Sequence, residues 1–288
     1  MATRSRRLHA PLLLPPLWLL LLLRGVSCWD GWQTMRPIGH VRSCFSEKFG
    51  TPRQGSLVPD AAAMLTIVLE DMDVHQALEG LDAYSHVWLV WMAHLNGHDA
   101  TKSKVRAPKL RGGRAGVFAT RSPYRPNPIG LSLVRLLGVD GDTLRLSGVD
   151  LVDGTPVVDV KPFIPSYDTP AVELPEDVRT ASWIDPPPLP VCLAPEVEAA
   201  LGGAIGRSSS MLHDADQLRR ALMQTLAADP RPLYRWRRER GAGGAEYDIA
   251  FDGLCARCAF ELGSTGVESV TVLQLAPAAD RGGGSARA

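Results

Sequence analysis

The chain reads as mainly β with an α+β appendage: short antiparallel strands forming a barrel or sandwich, then a smaller C-terminal α/β domain. Three observations carry this reading. Apolar, β-branched runs of strand length recur between residues 38 and 160, separated by turns rich in Gly, Pro and Asp. Few segments before residue 170 carry helical periodicity. From Pro170 the texture changes, and helical patterns appear beyond a stiff linker at residues 185–190, DPPPLP.

The expected elements follow in order. Strands are expected at Ile38–Val41 and Leu65–Leu69, with a brief helix at Val74–Leu81. His86–Leu95 is aromatic and β-branched, the pattern of a buried strand. Further strands are expected at Ala115–Thr120, Leu131–Val139, Thr143–Ser147, Val149–Val152 and Val157–Val160. Asp140-Gly141-Asp142 marks a hairpin turn. In the C-terminal part, Ala194–Leu201 and Asp214–Ala228 are expected helices, the second with Leu218, Leu222 and Leu226 at a spacing of four. Tyr247–Phe251 and Val267–Leu275 are expected strands, and residues 279–288 are expected to be disordered.

A chain of 288 residues is long enough to bury a sizeable core. Lys plus Arg and Asp plus Glu both number 31, so there is no global field for nucleic acid, and any RNA partner must meet a local patch. Residues 102–125 supply one, with eight Lys or Arg and no acidic residue. That patch runs into Arg121–Ser132, which packs three prolines and two arginines between apolar runs. Each proline fixes its own φ and restrains the residue before it, so the segment is a shaped loop, either a ligand-gripping loop or a turn with solvated arginines. Asp229–Arg238 is a second basic stretch, whose Tyr234 and Trp236 suit either RNA contact or a solvated strand edge.

The N-terminus stands apart. Arg4–Arg7 precedes a Leu-rich run at Leu12–Leu23, then Gly25 to Cys28, the pattern of a signal peptide. The run is short for a membrane span. The five cysteines are odd in number and sparse, which does not make a disulfide framework. Cys255 and Cys258 form a single C-x-x-C without a second pair, so no metal is expected. There is no dinucleotide fingerprint, P-loop, H-E-x-x-H or G-x-S-x-G element.

Seven segments occur in a telling order: Pro52–Gln54 (PRQ), Tyr84–Trp88 (YSHVW), Gly116–Arg121 (GVFATR), Arg125–Gly130 (RPNPIG), Asp150–Pro156 (DLVDGTP), Asp159–Pro162 (DVKP) and Asp229–Pro232 (DPRP). Together they resemble the TsaA-like, or TrmO, family of tRNA adenine-N6 methyltransferases, over roughly Met35 to Leu275. The resemblance implies a small antiparallel β-barrel at residues 35–168 and an α/β domain at 169–278. It implies a homodimer with S-adenosyl-L-methionine as cofactor near the subunit interface. It implies methyl transfer to N6 of threonylcarbamoyladenosine, 3′ of the anticodon, in threonine tRNAs.

Carried onto this sequence, the resemblance places cofactor contacts at Pro52, Arg53, Gln54, His94, Leu95, Arg121, Leu131, Asp150, Leu151, Val152 and Asp153. Arg121 suits the cofactor carboxylate as a bidentate partner. Asp150 or Asp153 suits its ammonium or ribose hydroxyls, and Leu131 and Leu151 suit the adenine face. Arg125, Asn127 and Lys161 are candidates for the RNA side. His94, which as a lone residue fits a core position, becomes a site candidate, and either His94 or Asp153 is the proton acceptor. A non-catalytic RNA- or ligand-binding barrel is the alternative function. Residues 1–34 are then an atypical hydrophobic extension, signal-like or a gene-model artefact, Met35 is a sensible initiator, and the expected location is cytoplasmic or nuclear without a membrane partner.

Overall fold

The computed structural model describes residues 35–96, 101–106, 110, 113–169, 181, 184, 188–205, 211–231, 245–262 and 268–278. The expectations for residues 1–34, for most of Asp229–Arg238, for part of the 185–190 linker and for 279–288 lie outside these residues. Pro37–Ala288 forms one compact unit; of the other, Met1–Arg36, only Met35 and Arg36 are described.

Six strands close into a barrel: β1 (Gly39–Ser43), β2 (Ala62–Ile67), β3 (His86–Met92), β6 (Ile129–Asp140), β7 (Thr143–Ser147) and β8 (Pro156–Pro162). Their order around the barrel is β1-β2-β7-β6-β3-β8, with β8 returning to β1. All these pairings are antiparallel. Alternation decides what fills the barrel: Val41, Leu65, Val87, Leu89, Val134, Leu144, Leu146 and Val157 are all at most 1% exposed. Two short strands, β4 (Lys104–Arg106) and β5 (Arg114–Gly116), form a separate ribbon.

A one-turn helix α1 (Val74–Leu78) is capped by Asp73, whose carboxylate accepts the amides of His75 and Gln76. The hairpin between β6 and β7 turns at Gly141 and Asp142, with Gly141 at φ +66°. A second short helix, α2 (Pro165–Asp168), follows the barrel.

The C-terminal part is a four-stranded sheet in the order β10-β11-β12-β9. It consists of β9 (Val191–Leu193), β10 (Ala245–Phe251), β11 (Leu254–Leu262) and β12 (Glu268–Pro277), with β9 parallel to β12. Helices α3 (Pro195–Ala204) and α4 (Ala215–Ala227) complete it. Asp214 caps α4 by accepting the amide of Gln217 at 2.6 Å, and Leu218, Leu222 and Leu226 are fully buried on one stripe. Cys255 and Cys258 fall on opposite faces of β11, Cys258 inside with Ala256 and Phe260, and burial pushes its thiol up to about 12.

Two expected strands differ. Ala115–Thr120 is strand only to Gly116; Val117–Ala119 then form a 3-10 turn, closed by the Thr120 amide on the Val117 carbonyl at 3.2 Å. Val149–Val152 is not a strand. It is a buried loop whose apolar residues mimic strand composition, while Gly148 turns the chain at φ +70°. Three strands were not foreseen: β4, three residues within a basic stretch, β9, three residues beside a Pro-rich segment, and β11, whose Cys, Arg and Glu content dilutes the strand signal.

Barrel and C-terminal sheet share one core. Phe45 packs edge-on against Phe251, with ring centroids 5.6 Å apart. Beside them the Asp252 amide donates to the Cys44 carbonyl at 2.7 Å, and the buried Asp252 carboxylate accepts the amides of Met211 and Leu212. Asp60, before β2, accepts bonds from Arg220 and Gln224 on α4. Truncation of the fully buried Phe45 to Ala is expected to cost about 3–5 kcal/mol. Because the ring lies on the seam, urea unfolding followed by near- and far-UV circular dichroism is expected to show one cooperative transition moved to lower urea, not a separate early transition of either part.

Candidate functional site

The candidate residues converge at one end of the barrel, where β2, β6 and β8 begin and β1, β3 and β7 stop. The loop at residues 120–128 leads into β6 there. Arg125 holds it in shape, donating to the carbonyls of Ser122 at 2.9 Å, Val117 at 3.2 Å and Thr120 at 2.5 Å. Its guanidinium is thus engaged within the loop. Asn127 is exposed, and its carbonyl accepts the Ile129 amide at 2.7 Å.

Three neighbours border this loop. Arg121, exposed, donates through Nη1 to Gln54 Oε1, tying the loop to the segment before β2. Asn96 donates to the Pro123 carbonyl at 2.9 Å, and the Ala93 amide to the Pro128 carbonyl at 2.8 Å. These bonds set the His94–Leu95 turn against the loop, and Lys48 donates to the Leu95 carbonyl. His94 lies just beyond β3, exposed rather than in the core. Partial burial, then repulsion by His40 and Lys48, lower its pKa, so at neutral pH the imidazole is uncharged and able to accept a proton.

Asp150 is the third neighbour. Its Oδ1 accepts the Ser132 hydroxyl at 2.5 Å, and its carboxylate also accepts the Gly55 amide. Trp91 Nε1 donates to Ser132 Oγ at 3.0 Å, and Ser132 is fully buried on β6. Two glycines permit this packing. A Cβ on Gly55 would stand 2.0 Å from the Gly148 carbonyl oxygen, and one on Gly130 would stand 2.1 Å from the Trp91 indole. Burial raises the Asp150 pKa, against the opposing pull of Ser132, its own amide, Arg121 and Gly55.

The other predicted residues divide. Leu131 and Leu95 are exposed at this end, 52% and 45%, offering apolar surface beside Arg121. Pro52 is buried, and Arg53 Nη2 turns to the Arg231 carbonyl at 3.4 Å. Leu151 is 1% exposed and belongs to the core, so it does not present a face to a ligand here. The Val152 carbonyl closes a turn with Thr155. Asp153 reaches the same barrel end but serves β1: its Oδ1 accepts the Ser43 amide at 2.9 Å, and its amide donates to the Phe45 carbonyl. Lys161 is paired with Asp159 at 2.7 Å and stands opposite Trp88, about 16 Å along β8 from the site end. Arg231, within the second basic stretch, is 2% exposed and ion-paired, so its side chain does not face RNA.

Ser132, Trp91, Gly55 and Gly130 were not singled out from the sequence as site residues. Ser132 carries a usable signal: it is the polar residue at an inward position of an otherwise apolar alternating strand. The donor set fits a ligand bearing a carboxylate, an ammonium or hydroxyl group and an apolar ring. Among the described residues no cluster of His, Cys, Asp or Glu could hold a metal ion.

A closed antiparallel barrel with this polar network and apolar rim at one mouth, beside a basic ribbon, defines a small-ligand-binding barrel placed to meet a polyanion. Comparison with known proteins gives the family. The model described as the tRNA-methyltransferase O N-terminal domain matches residues 40–169. A Pseudomonas aeruginosa protein, whose name places it among S-adenosylmethionine-dependent methyltransferases, is 44% identical over 204 residues, covering 70% of this chain and 83% of its own. The Escherichia coli tRNA (adenine(37)-N6)-methyltransferase is 40% identical over 212 residues, covering 71% of this chain and 84% of its own. A crystal structure of TrmO matches with a TM-score of 0.62 at 34% identity, over 85% of this chain and 99% of that chain. The chain belongs to the TrmO family of tRNA methyltransferases.

Two outcomes test the site. Arg121→Ala is expected to weaken S-adenosylmethionine binding at least about ten-fold in calorimetry, the loss of one charge-assisted contact; unchanged affinity would remove Arg121 as the carboxylate partner. Asp150 has a raised folded pKa, so its contribution to stability is fully present below the ordinary carboxylate range, about pH 4, and is lost as pH rises through the raised value. The stability of the wild type relative to Asp150→Asn, measured by urea unfolding across pH, is therefore expected to fall as pH rises through that window.

Proposed function

We propose that this protein transfers a methyl group from S-adenosylmethionine to N6 of threonylcarbamoyladenosine, 3′ of the anticodon, in threonine tRNAs. The observation that carries this reading is the placement of Arg121 on Gln54 and of Asp150 on Ser132 and Gly55 at one barrel mouth. The more general activity is that of the family: S-adenosylmethionine-dependent methylation of adenine N6 in tRNA.

Bound at this mouth, S-adenosylmethionine supplies an electrophilic methyl on its sulfonium. Arg121 receives the carboxylate of the amino-acid tail. Asp150 accepts from the ammonium or a ribose hydroxyl, and Leu131 offers an apolar face. The stiff 120–128 loop fixes these groups before the substrate arrives, so positioning for in-line attack supplies much of the rate. His94, neutral at pH 7, takes the proton from N6; Asp153 is less suited, because its carboxylate holds the end of β1.

The β4–β5 ribbon supports RNA binding: Lys102, Lys104, Arg106 and Arg114 are exposed, and Phe118 beside it is 80% exposed. Lys102 Nζ sits 5.2 Å over the Tyr124 ring, which marks the same face as both cationic and aromatic. The exposed Leu95 and Leu131 suit a homodimer in which the second copy borders the cofactor. No helix among the described residues is long and apolar enough to cross a membrane, and a cytoplasmic or nuclear location suits a tRNA substrate.

Incubation with labelled S-adenosylmethionine and threonine tRNA, followed by nucleoside mass spectrometry, is expected to show one added methyl on the threonylcarbamoylated nucleoside. Transcripts lacking that modification are expected to stay unlabelled. Cofactor binding without transfer to either RNA would favour the non-catalytic barrel.

A further inference from the structure

The Arg231 guanidinium is enclosed on every side by contacts. Its Nε and Nη2 donate to the two carboxylate oxygens of Asp229 at 2.7 and 3.0 Å, and Nη1 donates to Glu268 at 2.7 Å. Its carbon lies 3.8 Å from the centre of the Phe260 ring, and the side chain is 1% exposed. Glu268 opens β12 and Phe260 lies on β11, so the cluster fastens the segment after α4 to the C-terminal sheet. Asp229, which starts that segment, has a positive φ of 49°, and its amide is held by the Leu226 carbonyl at 3.0 Å. A residue so enclosed has no nitrogen to offer RNA. What it offers is its backbone carbonyl, which accepts Arg53 Nη2 at 3.4 Å, while Asp229 also attracts Arg53. Arg53 adjoins Gln54, the partner of Arg121.

We propose that Arg231 is a positioning residue for the cofactor site: the Asp229–Arg231–Glu268 cluster fixes the carbonyl that anchors Arg53, and through Arg53 the C-terminal domain sets where Gln54 holds Arg121. This rests on the reading of Arg121 and Gln54 as cofactor contacts. The C-terminal domain thereby acts on cofactor binding as well as on whatever RNA it touches.

Glu268→Gln keeps the side-chain shape and removes one charge from the cluster. In the full-length protein it is expected to raise the S-adenosylmethionine dissociation constant by about five- to ten-fold while leaving the KM for tRNA within about two-fold. Circular dichroism serves to establish that the variant is folded. Arg53→Ala cuts the link from its exposed side without entering the buried cluster. In that background Glu268→Gln is expected to have little further effect on cofactor affinity, because both changes act through one contact. Additive effects, or a raised tRNA KM with unchanged cofactor affinity, overturn the proposal. If Arg121→Ala weakens cofactor binding and Glu268→Gln does not, this inference fails and the site reading stands. If Arg121→Ala has no effect either, the site reading fails and takes this inference with it.

Discussion

The carboxylate of Asp150, wedged between the Ser132 hydroxyl and the Gly55 amide, is the interaction on which the barrel mouth depends. It joins three segments distant in sequence: the turn before β2, the inward face of β6 and the loop after β7. A buried carboxylate without such donors costs several kcal/mol, so the three segments are held together by its demand for partners. Gly55 and Gly130 are the steric side of the same constraint, since a methyl group at either would strike the Gly148 carbonyl or the Trp91 ring. With those segments fixed, Gln54 is set beside Arg121, and the exposed edge of the mouth acquires its charge.

Around this buried network the structure adds rigidity from two directions. Prolines and the Arg125 bonds stiffen the 120–128 loop, so Arg121 is offered from a shaped surface. From the other side the C-terminal sheet packs onto the barrel through Phe45, Phe251 and Asp252, and reaches Arg53 through Arg231. A methyl transfer that relies on alignment more than on strong acid or base chemistry suits such a site. At the mouth, His94 is biased toward the uncharged form that can accept a proton.

Much of the fold was legible because its determinants are local. Alternation in Leu131–Val139 and Thr143–Ser147, with Asp-Gly-Asp between them, yields the observed hairpin, and the leucine spacing of α4 yields its buried stripe. Val149–Val152 misled because burial, not pairing, explains its composition. At the site, chemistry alone named Arg121 and Arg125 as cations on a stiff loop, and the resemblance singled out Arg121 and added His94, Gln54 and Asp150 as its companions. Neither showed that Arg125 and Asp153 serve the backbone, or that Leu151 is core. Both arginines read alike in sequence, and only the surrounding carbonyls tell the exposed Arg121 from Arg125. Gly55 and Gly130 matter through close contacts with Gly148 and the Trp91 ring, far off in sequence, which no local pattern encodes, while Ser132 shows locally only as a polar residue at an inward strand position.

The most direct test is an NMR titration of the isotope-labelled protein with S-adenosylmethionine, following the Trp91 indole N–H and the Gly55 and Ser132 amides. The account predicts saturable shifts at these three, with the Arg121 side chain moving in step. Shifts confined instead to the cavity lined by Arg42, Ser43, Cys44, Ser46, Asp153, Met211 and Gly253 would place the cofactor on the Asp153 side, away from Arg121 and Asp150, and contradict the account.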